Sequence, residues 1–397
     1  MNLSRKGEAL SPSITLAITA KAKEMKAKGI DVVSFGAGEP DFNTPLNIRE
    51  AAIKAMNEGH TKYTPASGIS ELKKAIIKKF EIDNDLKYNE SQIIISTGAK
   101  QCLANAFMAI LNPGDEVLIP TPYWVSYPEL VKLADGVPVF VECLKEDNFK
   151  FKIDILEKSI TDKTKAILIN SPNNPTGTIY SRDELIELSK FAEKHDLFII
   201  SDEIYEKLIY GDDKHISIAS LSKDAFDRTI VINGMSKSYA MTGWRVGYAA
   251  GPNAVIKIMS NIQSHMTSNV CTITQYAALE ALEGPQDDLH AMVDVFQGRR
   301  DLMSSMLNSM DGISYIYPQG AFYIMVNIEN FIGKSYNGKK ITDSLSFSGI
   351  LLEEEQVAVI PGSGFGLENY IRLSYATSND IITEGLKRFI RFTLGTK

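Results

Sequence analysis

Residues 165–205, KAILINSPNNPTGTIYSRDELIELSKFAEKHDLFIISDEIY in one-letter code, decide the fold. The stretch opens on an apolar run, Lys165–Asn170, and passes through a loop dense in Asn, Pro and Gly. It then enters a segment whose Leu185, Leu188, Phe191 and Ala192 recur at helical spacing. A second apolar run, Leu197–Ser201, follows and ends on Asp202-Glu203-Ile204-Tyr205. Both runs are continuously apolar, without alternation, as strands buried on both faces require. Strand, helix and strand in succession read as parallel strands covered by helices.

The same rhythm extends outward. Further runs are Gln92–Ser96, Glu116–Pro120, Val137–Val141, Thr229–Asn233 and Val246–Ala250, with helical faces such as Ile69, Leu72, Ala75, Ile76 and Phe80 between them. The expectation is an α/β fold whose large part is a mostly parallel seven-stranded sheet covered by helices. Near Gly284–Pro285 the rhythm changes. A helical stretch from Asp287 to about Met310 leads to the runs Ile313–Tyr317, Phe322–Asn327, Val357–Ile360 and Tyr370–Tyr375. These predict a smaller α+β unit, packed against the first because no repeat or flexible linker separates them.

Composition excludes more than it reveals. The chain has 397 residues, 44% hydrophobic and 23% charged, with 42 Lys+Arg against 49 Asp+Glu and a net charge of −7. Those values are globular, and the length suits two domains at roughly 150 residues each. No basic run supports a nucleic-acid or anionic-membrane partner. Cys102, Cys143 and Cys271 are far apart and odd in number, as in a reducing compartment. Met1 to Ser13 lacks the apolar core of a signal peptide, and no stretch is apolar enough to span a membrane, so a cytoplasmic location is expected. The five histidines show no ligand spacing, so no metal is expected.

Uncommon residues follow directly after the apolar runs, where open α/β sheets bind ligands. Ser96-Thr97-Gly98-Ala99-Lys100, Thr121-Pro122-Tyr123-Trp124, the loop 170–177, Asp202-Glu203-Ile204-Tyr205 and Gly234-Met235-Ser236-Lys237 all hold such places. Gly98, Ala99 and Lys100 open a helical segment, whose free N–H groups and dipole suit an anion. Arg245 has the rigid fork that suits phosphate. Lys237, just past a buried strand, can lose enough hydration to become a Schiff-base nucleophile. Asp202 ends a buried run and needs a partner, and a protonated heterocycle would serve. A phosphate cradle, a Schiff-base lysine and a buried carboxylate together describe a pyridoxal phosphate site.

On these residues the chain resembles the class I aminotransferases of the fold-type I pyridoxal phosphate family, and within it the bacterial aspartate aminotransferases. The likeness runs from Pro12-Ser13 through Gly38-Glu39-Pro40-Asp41-Phe42, Lys62-Tyr63-Thr64, Tyr123-Trp124 and Ser171-Pro172-Asn173-Asn174-Pro175-Thr176-Gly177. It continues through Ser201-Asp202-Glu203-Ile204-Tyr205, Ser236-Lys237-Ser238 and Met241-Thr242-Gly243-Trp244-Arg245 to Ile371-Arg372-Leu373-Ser374-Tyr375-Ala376. It implies an N-terminal segment, 1–45, packing with the small domain, a large cofactor-binding domain, 46–285, and a small C-terminal domain, 286–397. It also implies pyridoxal 5'-phosphate as cofactor, amino acid and 2-oxo acid as substrates, and transfer from aspartate to 2-oxoglutarate.

The resemblance assigns roles residue by residue. Lys237 forms the Schiff base and then acts as general base, where the plain alternative is a surface lysine. Asp202 keeps the pyridinium nitrogen protonated, where the alternative is a helix N-cap. Tyr205 and Asn174 hydrogen-bond the phenolic oxygen, and Trp124 stacks on the ring unless it is simply core. Ser236 joins the phosphate site. Arg372 clamps the substrate α-carboxylate, against an internal salt bridge, and Gly38 lets backbone approach that carboxylate. Tyr63 reaches the neighbouring subunit's phosphate, which implies a homodimer with shared sites. Lys100, assisted by Ser13 and Thr15, faces the distal carboxylate, or else only augments the phosphate site. One departure is Ser268-Asn269-Val270-Cys271, where the family usually has Ser-Asn-Pro in a loop that in relatives lies near the partner's active site; the lost proline frees the backbone and bears on the shape of that pocket. Rival readings are an aromatic, alanine or prephenate/arogenate donor, a β-lyase, a sensor domain of a transcription regulator, and a nicotinamide dehydrogenase.

Overall fold

The central sheet has seven strands, in the spatial order Ile93–Ser96, Gly247–Ala250, Thr229–Gly234, Phe198–Asp202, Thr164–Asn170, Glu116–Thr121 and Val137–Glu142. They belong to a computed structural model that describes residues 3–12 and 14–397. Only Gly247–Ala250 runs against its neighbours; every other pairing is parallel. Each of the seven apolar runs read for this sheet falls within one residue of its strand.

Alternation of side chains places one helix layer on each face. Ile200 packs with Leu103 and Phe107 of the helix Ala99–Ile110, whereas its neighbour Ile199 packs with Leu185, Leu188 and Phe191 of the helix Arg182–Lys194. That second helix is started by a capping box, in which Ser181 accepts from Glu184 N–H and Glu184 accepts from Ser181 N–H. Burial on both faces fails at one place. Val137–Glu142 is an edge strand that the helices cover only in part, so Val137 and Phe140 stay exposed.

A second, four-stranded antiparallel sheet has the order Ile360–Pro361, Tyr370–Ser374, Tyr323–Asn327 and Ser314–Tyr315. Here the expected run Val357–Ile360 divides. Val357-Ala358 pairs in parallel with Val33-Ser34, while Ile360-Pro361 pairs with Tyr370–Ser374. An apolar run reports burial but not its pairing partner, so the sequence shows one strand where the chain makes two. The helix expected from Asp287 to Met310 ends at Leu307, ahead of a turn at Gly312 that needs a positive φ. One hydrophobic cluster includes Val33, Tyr205, Phe322, Tyr323 and Phe392, so the two sheets share a core.

This packing aligns the chemistry. Asn170 stands opposite Asp202, and Asp202 opposite Ile232, at the carboxyl ends of adjacent parallel strands. Tyr323 and Arg372 arrive from neighbouring strands of the second sheet, where Tyr323 pairs with Ser374 and Arg372 with Met325.

Candidate active site

Between the strand ends and the second sheet lies a cavity of about 640 Å³. Asp202, Tyr205, Ser236, Lys237 and Asn174 line its floor, and Ala99, Lys100, Trp124, Arg245 and Arg372 complete the wall with Gly38 and Thr15. Ser13 lies outside the described residues. Tyr63 is not part of the lining; its side chain is turned outward and is 89% exposed.

Asp202 is buried, and no Lys or Arg ion-pairs with it among the described residues. Its Oδ2 accepts from Tyr127 Oη at 2.7 Å and its Oδ1 from the Ile204 N–H at 3.2 Å. Burial pushes the carboxyl up to about 6, although the two hydrogen bonds and Lys237 pull the other way. The residues after it form turns rather than a helix, so Asp202 caps no helix.

Lys237 Nζ donates to the Gly38 carbonyl at 2.5 Å and stands 5.9 Å from the Tyr205 ring centroid. Solvent reaches the amine through the cavity mouth, but protein surrounds it elsewhere. That desolvation lowers it to about 8, with Glu39 opposing and Arg372 and Arg245 assisting. It is no surface lysine.

Arg372 is 3% exposed inside its strand, yet it makes no ion pair with an acid among the described residues. Its Nη1 donates to Asn174 Oδ1 at 3.0 Å and its Nη2 to the Gly36 carbonyl at 3.5 Å, its guanidinium lies 4.2 Å from the Tyr323 ring centroid, and its buried Nε has no partner among the described residues. A buried cation left open on one side fits a bidentate anion from outside. The internal salt bridge is therefore absent.

The anion end of the cavity depends on a glycine. Gly98 has φ +83° before the helix Ala99–Ile110, and a Cβ there would sit 2.6 Å from Arg245 Nη2. Arg245 is oriented by Nη1 donating to the Thr242 carbonyl at 2.8 Å. The helix N-terminus and the guanidinium thus face one space. Lys100 Nζ lies 4.9 Å from the Trp124 ring centroid, and burial followed by Arg245 lowers its pKa.

Three contributors escaped the sequence reading. Tyr127 braces Asp202, and its ring also meets Trp124 edge-on at 5.2 Å; the three-residue spacing from Trp124 was the available signal. Tyr323 hydrogen-bonds Tyr205, Oη to Oη, at 3.0 Å. Glu39 is held by Thr242 at 2.7 Å and acts on Lys237.

The departure at Val270 lies outside this chain's own cavity. Val270 is buried and is not a lining residue, and its carbonyl accepts from Gln275 and Asn269. The loop packs beside Tyr63, because Thr272 donates to the Lys62 carbonyl and Gln275 to Thr64. Away from the cavity, Glu203, Glu206 and His215 gather within 4.8 Å. Lys79 ion-pairs with Glu206, while Ser201, Ser217 and His215 satisfy Glu203, so these carboxylates are already matched. Among the described residues no helix is long and apolar enough to cross a membrane.

An α/β sheet with an open anion cradle, a desolvated amine and a buried free carboxylate at its strand ends defines a cofactor-dependent enzyme. The chain belongs to the aminotransferase class I and II family, whose profile matches residues 30–389. It is 53% identical to the aspartate aminotransferase of Bacillus subtilis (strain 168) over 392 residues, covering 99% of each chain. It is 50% identical to the aspartate/prephenate aminotransferase of Cereibacter sphaeroides over 388 residues, covering 97% of each. The crystal structure of the aspartate aminotransferase from Rhizobium meliloti superposes with a TM-score of 0.97 at 42% identity and full coverage of both chains. The cofactor of such aminotransferases is pyridoxal 5'-phosphate. The residues present fit it: a carboxylate without a cation, an amine poised near neutrality, and a glycine where an added Cβ would press on the Arg245 guanidinium.

Proposed function

We propose that this aminotransferase moves the amino group of aspartate to 2-oxoglutarate in two half-reactions, each substrate in turn using the same cavity. The observation that carries the substrate class is charge placement. Arg372, buried and unpaired by any acid among the described residues, holds one side of the cavity, and Lys100 offers a second cation on its wall. Two cations suit two carboxylates. The names of the Bacillus subtilis and Rhizobium meliloti relatives support aspartate.

When bound, pyridoxal phosphate supplies a carbonyl that condenses with amines and an electron-poor ring that spreads negative charge from an amino acid's α-carbon. The chain's own residues do the rest. Arg245, Ser236 and the Gly98–Lys100 helix start would hold the phosphate. Asp202 would keep a proton on the ring nitrogen, and Tyr205 and Asn174 would hydrogen-bond the phenolic oxygen, with Trp124 over the ring. Arg372 would grip the α-carboxylate while Gly38 leaves it room. Lys237 Nζ would take the substrate α-hydrogen as a proton and hand it back two bonds away, a 1,3-shift. Because Arg372 and Tyr323 belong to the second sheet, carboxylate binding would draw that part over the cavity and exclude water.

A homodimer completes the reading. Tyr63 points away from its own cavity, and Leu46, Ile53 and Met56 form an exposed apolar row on the helix Leu46–Asn57. Tyr63 would then reach the partner's phosphate. We place the enzyme in the cytoplasm, and divide it at residues 45 and 285 into N-terminal segment, large domain and small domain. Prephenate as an alternative substrate is favoured by the Cereibacter sphaeroides relative's name and by its being a dicarboxylic 2-oxo acid.

The test is kcat/KM for aspartate, alanine, phenylalanine and prephenate. Aspartate is expected to lead as donor, and a better alanine or phenylalanine would defeat the assignment. Lys100→Ala is expected to lower kcat/KM for aspartate about 10- to 100-fold, the worth of one charge-assisted hydrogen bond, and to leave alanine unchanged. Equal loss for both would remove Lys100 from substrate choice.

Cofactor capture by the apoenzyme has a predicted pH dependence. The neutral amine is the reactive form, and Lys237 is lowered to about 8, so the rate should fall below about pH 8 and level off above it. A rate still climbing at pH 10 would mean an ordinary lysine. Stopped-flow absorbance measures it.

A further inference from the structure

Two buried phenols link the arginine of this site to the groups around the lysine. Tyr205 Oη and Tyr323 Oη lie 3.0 Å apart, and neither makes another hydrogen bond among the described residues. Each hydroxyl carries one hydrogen, so one donates to the other and the acceptor keeps its own hydrogen for a further partner. Geometry decides which. The Tyr323 ring lies against the Arg372 guanidinium, whose central carbon is 4.2 Å from the ring centroid, whereas Lys237 Nζ is 5.9 Å from the Tyr205 centroid. The nearer cation favours negative charge on the phenolic oxygen and makes Tyr323 the better donor.

We infer that Tyr323 is a positioning residue: it donates to Tyr205 Oη, which turns the Tyr205 hydrogen toward the cavity, while its ring carries Arg372. This rests on the proposed reading of Tyr205 as the group that meets the cofactor's phenolic oxygen. The charged groups that act on the pair are Arg372, Lys237, Asp202 and Glu39. A donor that itself accepts a hydrogen bond is polarised and donates more strongly. A linkage follows. A carboxylate taken up by Arg372 offsets the cation over Tyr323, weakens its donation, and passes that change to Tyr205 some distance from the carboxylate itself. Substrate binding is thereby reported to Tyr205 through Tyr323, in parallel with the direct contact of Arg372 to Asn174.

Tyr323→Phe separates the two functions, because it keeps the ring under Arg372 and removes the hydroxyl. Two readouts are needed besides turnover. The pH midpoint of the bound cofactor's absorbance reads Tyr205, and the affinity for succinate, a four-carbon dicarboxylate with no amino group, reads Arg372. The midpoint is expected to rise by roughly half to one pH unit, the worth of one lost hydrogen bond. Succinate affinity is expected to stay unchanged. Saturating succinate is expected to move the unaltered enzyme's midpoint upward, and to move it less in the variant. An unchanged midpoint in a variant that melts normally overturns the inference. So does weakened succinate binding with the midpoint unmoved, which would assign the hydroxyl to the carboxylate site. Tyr205→Phe serves as the separate control: if it too leaves the midpoint in place, the reading of Tyr205 fails rather than that of Tyr323.

Discussion

Lys237→Ala is expected to lower kcat with aspartate by about four orders of magnitude, the contribution of a positioned proton-transfer group, while cofactor still binds. Binding survives because the phosphate cradle is built by other residues, Gly98, Arg245 and the start of the helix Ala99–Ile110. Lys237→Arg is the sharper companion. It restores a cation at the same position, but a guanidinium stays protonated and cannot take the α-hydrogen. If only the charge mattered, arginine would rescue; we expect it not to. Single-turnover absorbance after mixing with aspartate measures the step directly. A Lys237→Ala enzyme within tenfold of the unaltered rate would mean another base does the work.

The second large effect belongs to Asp202, and it has opposite signs for activity and stability. Asp202→Asn keeps the shape and an acceptor for Tyr127 but removes the charge. A charge pair at about 4 Å and an effective dielectric of 20 is worth roughly 4 kcal/mol, so kcat/KM is expected to fall about 10³-fold. The apoprotein should gain. The fold raises this carboxyl from 3.8 to about 6 through burial, so the folded state holds its proton more tightly than the unfolded chain. The resulting cost is absent below pH 3.8, grows as pH rises through about 6, and is complete above it, at about 3 kcal/mol. Asp202→Asn apoprotein is therefore expected to melt above the unaltered apoprotein at pH 8, with the difference shrinking toward pH 4. Calorimetry with cofactor removed checks this. A lower melting temperature at pH 8 would show that the carboxylate is already paid for by Tyr127 and Ile204.

The fold was legible because its strands are short, apolar and buried, and each ends in residues that no core would choose. Asp202 ends a strand and Gly98, Lys237 and Asn174 follow one within four residues, so their gathering at one sheet edge followed from topology. Arg372 was visible as a charge inside an apolar strand. Tyr323 and Tyr127 were not. A tyrosine in an apolar context looks like core, and only the register between Tyr323–Asn327 and Tyr370–Ser374 brings Tyr323 beneath Arg372. The division of Val357–Ile360 was hidden for a related reason: hydrophobicity records burial, and partner choice depends on chain segments more than 300 residues away, at Val33-Ser34. Glu203, Glu206 and His215 meet through a turn that has no spacing signature.

The central claim is that one lysine, lowered toward neutrality by its burial, holds the cofactor. Borohydride reduction makes permanent whatever bond joins pyridoxal phosphate to a lysine, and peptide mapping by mass spectrometry then locates it. The expected result is a single modified residue, Lys237, with the label lost in Lys237→Ala and abolished by excess aspartate added before reduction. Label on Lys100 or on any other lysine, with Lys237 unmodified, would contradict the account.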